Sequence, residues 1–188
     1  MSGASDTLCD RLLEELRPGL APSVLAQIAP LTEVLAKARR IACFGVGREG
    51  LMMKALTMRL FHLGLEAHVV GDMTTPPIAT GDVLFVSAGP GDFGTVAALC
   101  NVARAAGAQV ICITATRDGP VPAMADLIVH LPAQTMASDQ GPAASSVLPM
   151  GSLYEVLMVL FFELLVLDLR GRLSIAPEAM RARHTNLE

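Results

Sequence analysis

Short apolar runs alternate with longer helical segments between residues 40 and 131, and this alternation limits the possible folds more than any other feature. The apolar runs cover residues 40–44, 67–70, 82–87, 109–114 and 127–131. Apolar strands of this length are typical of a parallel sheet that helices cover on both faces. Since crossovers between parallel strands are right-handed, we predict an α/β fold with a five-stranded, doubly wound, flavodoxin-like sheet.

The residues before the first strand predict a helical arm. Apolar side chains recur at three- and four-residue steps in residues 8–16 and 24–35, and Pro30 should bend or divide the second helix. We therefore divide the chain into an N-terminal helical arm, residues 1–39, that packs on the domain or on a partner subunit, and a single α/β domain, residues 40–188, that includes a polar C-terminal tail.

Composition narrows the functional class. Hydrophobic residues make up 52% of the chain and charged residues 17%, which excludes a disordered protein and suggests apolar surface covered by self-association. The net charge is −4 and no basic run carries interleaved aromatics, so we expect no nucleic-acid partner. Without an apolar leader or a C-x-x-C pair, the sequence favours the reducing cytoplasm.

The segment 153–169 is apolar apart from Tyr154, Glu155, Glu163 and Asp168. Each acid at a bilayer centre would cost about 2.5–3.5 kcal/mol, so we expect no membrane span. A helix that is apolar nearly all round is buried in a core or against another subunit. We interpret it as an interface helix of a homo-oligomer, at least a dimer.

Two glycine-rich turns, Gly45–Gly50 and Ser87–Gly94, follow the first and third strands. In a doubly wound sheet both lie at the edge where ligands bind. Each turn opens a helix whose free N–H groups attract anions, and glycine lets a ligand approach the backbone. We predict that these turns bind a small phosphorylated or anionic ligand, although tight turns without a ligand have the same composition.

The first turn also has the spacing of a dinucleotide-binding fingerprint. Gly45, Gly47 and Gly50 spell G-x-G-x-x-G, and Asp72 ends the next strand. Two features weigh against a nicotinamide cofactor: the chain has no second domain, and the turn after the third strand has no role in that fingerprint. A nucleotide-binding oxidoreductase is therefore the third hypothesis.

More specific motifs resemble one family. Residues 45–50, 58–64, 70–76, 148–155 and 183–188 are similar, in the same order, to segments of the 6-phospho-3-hexuloisomerases, which belong to the sugar isomerase (SIS) domain superfamily. The resemblance covers roughly residues 35–188. It implies a five-stranded SIS fold, usually in a tetramer. It also implies conversion of 3-hexulose 6-phosphate to fructose 6-phosphate through an enediolate, without a metal or organic cofactor.

The same resemblance implies the site residues. The glutamate matching Glu155 is the proton-transfer base, and the histidine matching His184 lies close to the active site, that of its own or of a neighbouring subunit. The ligand phosphate is held by the turn matching Ser87–Thr95, together with the first turn. The expected phosphate-binding residues are Gly47, Arg48, Ser87, Gly89, Gly91, Asp92 and Thr95.

Both turns depart from the family pattern. Glu49 stands where the family usually has a serine, and a carboxylate at a helix N-terminus competes with phosphate for the same donors. Pro90 brings no N–H group to the second turn. These departures motivate the runner-up hypothesis, a non-catalytic SIS module that binds a sugar phosphate or related anion.

Some of these residues also have structural explanations. Ser152 and Glu155 have the S-x-x-E spacing of a helix capping box. His184 lies in a polar tail, where a solvated role is common, and Arg48 could form a surface ion pair with Glu49.

Overall fold

The computed structural model describes residues 3–187 and contains one five-stranded sheet. The strands are β1 (Ile41–Phe44), β2 (Ala67–Val69), β3 (Val83–Ser87), β4 (Gln109–Thr114) and β5 (Leu127–His130). Every neighbouring pair is parallel, and the order across the sheet is β2-β1-β3-β4-β5. This is the flavodoxin-like order, and it confirms the predicted fold class.

Seven α-helices surround the sheet within the described residues. They are α1 (Gly3–Leu16), α2 (Pro22–Leu25), α3 (Ile28–Lys37), α4 (Gly47–His62), α5 (Gly94–Ala105), α6 (Ser152–Arg172) and α7 (Pro177–Ala182). Short 3-10 helices lie at Arg17–Leu20, Pro122–Met124 and Gly141–Ala143. Helix α7 lies in the segment that the sequence predicts to be a polar tail.

Successive strand residues point to opposite faces of the sheet, which produces two separate apolar layers. On one face Cys43, Phe85 and Ile111 pack in a cluster with α3, α4 and α6. On the other face Val86 and Cys112 pack with α5 in a smaller cluster. The sheet is therefore buried on both sides, and ligands can reach it only at its edges.

Helix α6 supplies much of the larger layer. Its residues that are buried within this chain are Leu153, Tyr154, Leu157, Met158, Phe161, Phe162, Leu165, Val166 and Leu169. The chain's own core therefore accounts for most of the apolar composition that led us to expect an interface helix. Val159, Leu160 and Leu167 remain exposed on α6. The oligomeric state stays a prediction.

The N-terminal arm is tied to the domain at two places. Leu31 and Leu35 of α3 are fully buried against the larger layer, where α3 packs beside α6. Glu15 of α1 accepts hydrogen bonds from the Ser146 hydroxyl and the Val147 N–H, in the loop that precedes α6. Pro30 lies in the first turn of α3, where a missing N–H is tolerated, so the helix division falls just before it.

Helix α4 begins at Gly47, earlier than the glycine pattern indicates. A Cβ at Gly50 would lie 2.5 Å from the Gly45 carbonyl oxygen, so glycine is required for the chain to close this tightly. Because the helix starts inside the turn, Arg48 and Glu49 occupy its first turn instead of an open loop.

The part of the chain that the structure describes has no single helix that meets the length and hydropathy expected of a membrane span. One bent pair of helical segments, Thr7–Leu20 with Pro22–Lys37, meets that test by length and composition together.

We expect Leu35→Ala to lower the free energy of unfolding by about 2–5 kcal/mol, because it removes a buried side chain and leaves a cavity. Leu8→Ala is the matched control, since Leu8 is 56% exposed on α1. The control should lose about 0.5 kcal/mol or less. Urea unfolding at one fixed protein concentration measures both variants. Equal losses would contradict the placement of α3 in the main core.

Candidate active site

A cavity of about 680 Å³ opens at the carboxyl ends of the strands. Its walls come from the start of α4, the turn after β3, the long loop after β5 and the first turn of α6. The loop contributes Thr135, Met136 and Ala137. The two glycine turns thus border one cavity, as parallel strands require.

An internal carboxylate links the two turns. Glu49, from the first turn of α4, is 8% exposed and extends towards the end of β3. One of its oxygens, Oε2, accepts hydrogen bonds from the Ser87 hydroxyl at 2.6 Å and from the Gly89 N–H at 3.0 Å. The Tyr154 hydroxyl lies 3.2 Å from the same Ser87 hydroxyl. This network occupies the polar groups at the end of β3.

Burial controls the protonation of this network. Removal from water raises the pKa of Glu49, and the hydrogen bonds from Ser87 and Gly89 offset part of that effect. The pKa of Tyr154 lies well above its ordinary value, chiefly because the ring is fully buried and secondly because Glu49 is near. Tyr154 therefore stays a neutral hydroxyl.

A second carboxylate, Glu155 of α6, also lines the cavity and forms an ion pair with Arg48. Its side chain is 17% exposed. The Arg48 guanidinium also donates to the Met150 carbonyl at 3.0 Å and to the Ser152 hydroxyl at 2.9 Å. Arg48 thus joins the first turn of α4 to the start of α6 and fixes the position of Glu155.

These contacts overturn two of the structural alternatives. The capping box is wrong, because the N-cap of α6 is Gly151 and the Ser152 hydroxyl donates to the Pro149 carbonyl instead. The expected surface pair between Arg48 and Glu49 is also replaced by the pair with Glu155.

The predicted phosphate-binding residues fall into three groups. Gly47, Arg48 and Asp92 line the cavity. Ser87 and Gly89 lie behind the wall and are bonded to Glu49.

The remaining two are set apart from the cavity lining. Gly91 is buried, and its N–H donates to the Ala88 carbonyl. A Cβ added at Gly91 would lie 2.7 Å from the Thr116 side chain. Thr95 is exposed in the first turn of α5. The phosphate-binding role of all seven residues stays a prediction.

His184 lies far from this cavity within its own chain. Its ring is 5.4 Å, centre to centre, from that of His62, the last residue of α4. The cavity is at the opposite end of this 16-residue helix, about 24 Å away at 1.5 Å per residue. Its expected place beside the active site of a neighbouring subunit stays a prediction.

Sequence reasoning missed two contributors to the site. The long loop after β5 is of a length that suggests function, but no pattern in it identifies Thr135–Ala137 as cavity residues. Tyr154 stands next to Glu155 in the family-like motif, yet only the packing of α6 places its hydroxyl beside Ser87.

Within residues 3–187 no group of three His, Cys, Asp or Glu side chains is arranged to hold a metal ion.

Comparison with known proteins identifies relatives over nearly the whole chain. Residues 34–160 match the family model described as the SIS domain. The 3-hexulose-6-phosphate isomerase of Bacillus subtilis is 31% identical over 94% of this chain and 95% of its own length. The enzyme of the same name from Mycobacterium gastri is 35% identical over 86% of this chain and 80% of its own length.

Solved structures agree with this fold. A hypothetical protein from Methanococcus jannaschii, with an inferred molecular function of 3-hexulose-6-phosphate isomerase, superimposes with a TM-score of 0.81 and 28% identity. The match covers 98% of each chain. The NanR protein of Vibrio vulnificus, solved in complex with ManNAc-6P, shares the fold at a TM-score of 0.74 and 18% identity, over 97% of this chain and 67% of its own.

Glu49→Gln should change how the stability depends on pH. Because the folded pKa of Glu49 is raised, the contribution of Glu49 to the stability of wild type is fully present below the ordinary carboxyl pKa of 4.5 and is lost as the pH rises through the raised value. Glutamine does not titrate and should not show this loss. Urea unfolding of both proteins from about pH 5 to about pH 8 measures the difference.

The control is Glu163→Gln, since Glu163 is exposed on α6. Its stability should follow that of wild type at each pH. A stability difference between wild type and Glu49→Gln that stays constant with pH would contradict the raised pKa.

Proposed function

Because the chain belongs to the SIS domain family, we propose that it is a phosphosugar isomerase that interconverts 3-hexulose 6-phosphate and fructose 6-phosphate. Relatives that carry the name 3-hexulose-6-phosphate isomerase and span nearly the full chain support this substrate. The observation that carries the proposal is Glu155, a carboxylate held in the wall of the cavity by Arg48.

The reaction moves a carbonyl group between adjacent carbons. A base removes the proton from C2 of the 3-ketose, and the electron pair left behind forms a 2,3-enediolate. The hydroxyl proton moves from O2 to O3, and the proton that the base returns to C3 yields the 2-ketose. One carboxylate on one side of the sugar can carry out both transfers. Glu155 has this role, with a carboxylate that lines the cavity and is partly open to a ligand.

Neighbouring groups support this chemistry. Arg48 restricts the rotation of the Glu155 side chain, and positioning of a base is a substantial part of its catalytic effect. Val46, Phe93 and Met136 give the cavity apolar walls that exclude water from an enediolate. The chemistry uses protein side chains alone, so we expect no metal or organic cofactor.

The second candidate is a SIS module that binds a sugar phosphate without turning it over. One observation favours it: Glu49 already occupies the Ser87 hydroxyl and the Gly89 N–H, which the family resemblance assigns to phosphate. Turnover separates the two candidates, because only the isomerase converts 3-hexulose 6-phosphate, whereas both bind it.

We place the protein in the cytoplasm as a homo-oligomer, a tetramer or a dimer. The apolar residues Leu51, Met58 and Phe61 on α4, and Leu167 on α6, are exposed in the single chain and are available for such contacts. In this assembly His184 would approach the cavity of a neighbouring subunit.

Glu155→Gln should lower kcat for the formation of fructose 6-phosphate by about 100- to 10,000-fold, because glutamine cannot accept the proton. Glu163→Gln on the same helix is the matched control, since Glu163 pairs with Arg59 away from the cavity lining. The control should keep wild-type activity. Unchanged turnover in Glu155→Gln would remove Glu155 as the base. A wild type that binds but never converts the substrate would favour the binding module.

Mixed oligomers test the place of His184. Glu155→Gln and His184→Ala chains should each be weakly active alone. When the two are refolded together, some cavities combine an intact Glu155 with an intact His184 from the neighbour, so activity should return in part. No recovery would contradict a shared site. A mass of 19.7 kDa by light scattering, the mass of one chain, would contradict the oligomer itself.

A further inference from the structure

We infer that the Glu49 carboxyl group occupies the donor groups of the turn after β3 and so determines which ligands the cavity accepts. The inference depends on the proposed function only in assuming that a sugar phosphate is brought to this edge of the sheet. Glu49 is thus a specificity-determining residue at that site.

Hydrogen bonds to Glu49 use the donors that a phosphate group would need. A turn that binds phosphate must offer free N–H and hydroxyl donors. Here the Ser87 hydroxyl and the Gly89 N–H both donate to Glu49, at 2.6 and 3.0 Å. Pro90, the next residue, has no N–H to contribute. The first donors of this turn are thus satisfied by the protein itself.

The room beside Ser87 and Gly89 is also taken by the Glu49 side chain. The other carboxylate oxygen of Glu49, Oε1, is so close to Gly89 that a Cβ added there would lie 2.7 Å from it. Ser87 is fully buried, and Glu49 is nearly so. A phosphate group can contact these donors only where the Glu49 carboxylate now lies, so the two groups exclude each other.

The charged residues of the cavity also oppose the binding of a phosphate group. The charged residues that line the cavity are Arg48, Glu49, Asp92 and Glu155, so three acids accompany one base. That base is already paired with Glu155. A doubly charged phosphate in this cavity would meet the like charge of Asp92 and, above the raised pKa of Glu49, a second like charge, which weakens its binding.

The consequence is a cavity that accepts the uncharged polyol part of a sugar beside Ser87–Gly89 and holds a phosphate there only weakly. Removal of the Glu49 side chain frees the two donors without changing Arg48 or Glu155. Affinity for phosphorylated ligands should then rise, while affinity for the unphosphorylated sugar should stay the same.

Isothermal titration with fructose 6-phosphate, inorganic phosphate and fructose tests the inference. Glu49→Ala opens the donor set, Glu49→Ser opens it and adds a hydroxyl, and Glu49→Gln keeps an acceptor of the same length in place. The Ala and Ser variants should bind fructose 6-phosphate and inorganic phosphate at least about tenfold more tightly than wild type, about 1.4 kcal/mol. Their fructose affinity should change by less than about twofold. The Gln variant should stay close to wild type for all three ligands.

Three results would overturn the inference. Unchanged phosphate affinity in both the Ala and the Ser variants would show that Glu49 does not occupy a phosphate site. An equal gain in phosphate affinity in the Gln variant would show that Glu49 acts by charge repulsion and not by occupying the donor groups. An equal gain in fructose affinity in the Ala and Ser variants would show that the substitutions widen the cavity for any sugar.

Circular dichroism verifies that each variant is folded before titration, and the Ser and Gln variants keep the test valid should the Ala variant not fold. Inorganic phosphate and fructose are not substrates of the proposed reaction, so their affinities are measured without turnover. A failure of the isomerase assay therefore leaves this result intact, and the reverse also holds.

Discussion

The strands of the sheet present two apolar faces to be removed from water, with α3, α4 and α6 covering one and α5 covering the other. This double burial leaves polar chemistry to the edges of the sheet. All five strands are parallel, so their carboxyl ends meet at one edge, and the turns that follow β1 and β3 border a common cavity there. The location of the candidate active site is thus a consequence of how the core is buried.

At this edge two carboxylates from the first turns of two helices have different environments. Glu49 is buried and holds the Ser87 hydroxyl and the Gly89 N–H, and its pKa is raised by the loss of water. Glu155 lines the cavity and is paired with a half-exposed Arg48. The environment gives the first an architectural role and leaves the second in the cavity lining. Two acids with such different surroundings can act in one site without duplicating each other.

Family membership concerns the reaction class, whereas the contacts of Glu49 concern which ligand the turn after β3 can bind. The SIS domain match and the identity to 3-hexulose-6-phosphate isomerases extend over most of the chain and support the reaction class. The turn after β3 is where this chain departs from the family pattern, and it is also where an internal carboxylate replaces a free anion site. The proposed difference in ligand selection is therefore compatible with a retained SIS fold.

The fold could be predicted from local periodicity, because the apolar runs and the glycine turns each lie within a short stretch of chain. Strand β4 matches the predicted bounds fully, and each of the other four strands differs from them by one residue at one end. The family resemblance singled out Glu155 and Glu49, and the same local patterns placed both glycine turns at one edge of the sheet. These are properties of short stretches of chain, and patterns of polar and apolar residues record them directly.

The pairing of those residues depends on contacts that form only when the chain is folded. Ser152 and Glu155 have the spacing of a capping box, yet Arg48, distant in the chain, binds both of them. Helix α6 is apolar enough for an interface, but packing against α3 and α4 buries most of its surface within one chain. His184 lies beside His62 instead of the cavity. Such contacts join residues that are remote in sequence, and their strength depends on distance and burial, which no local pattern contains.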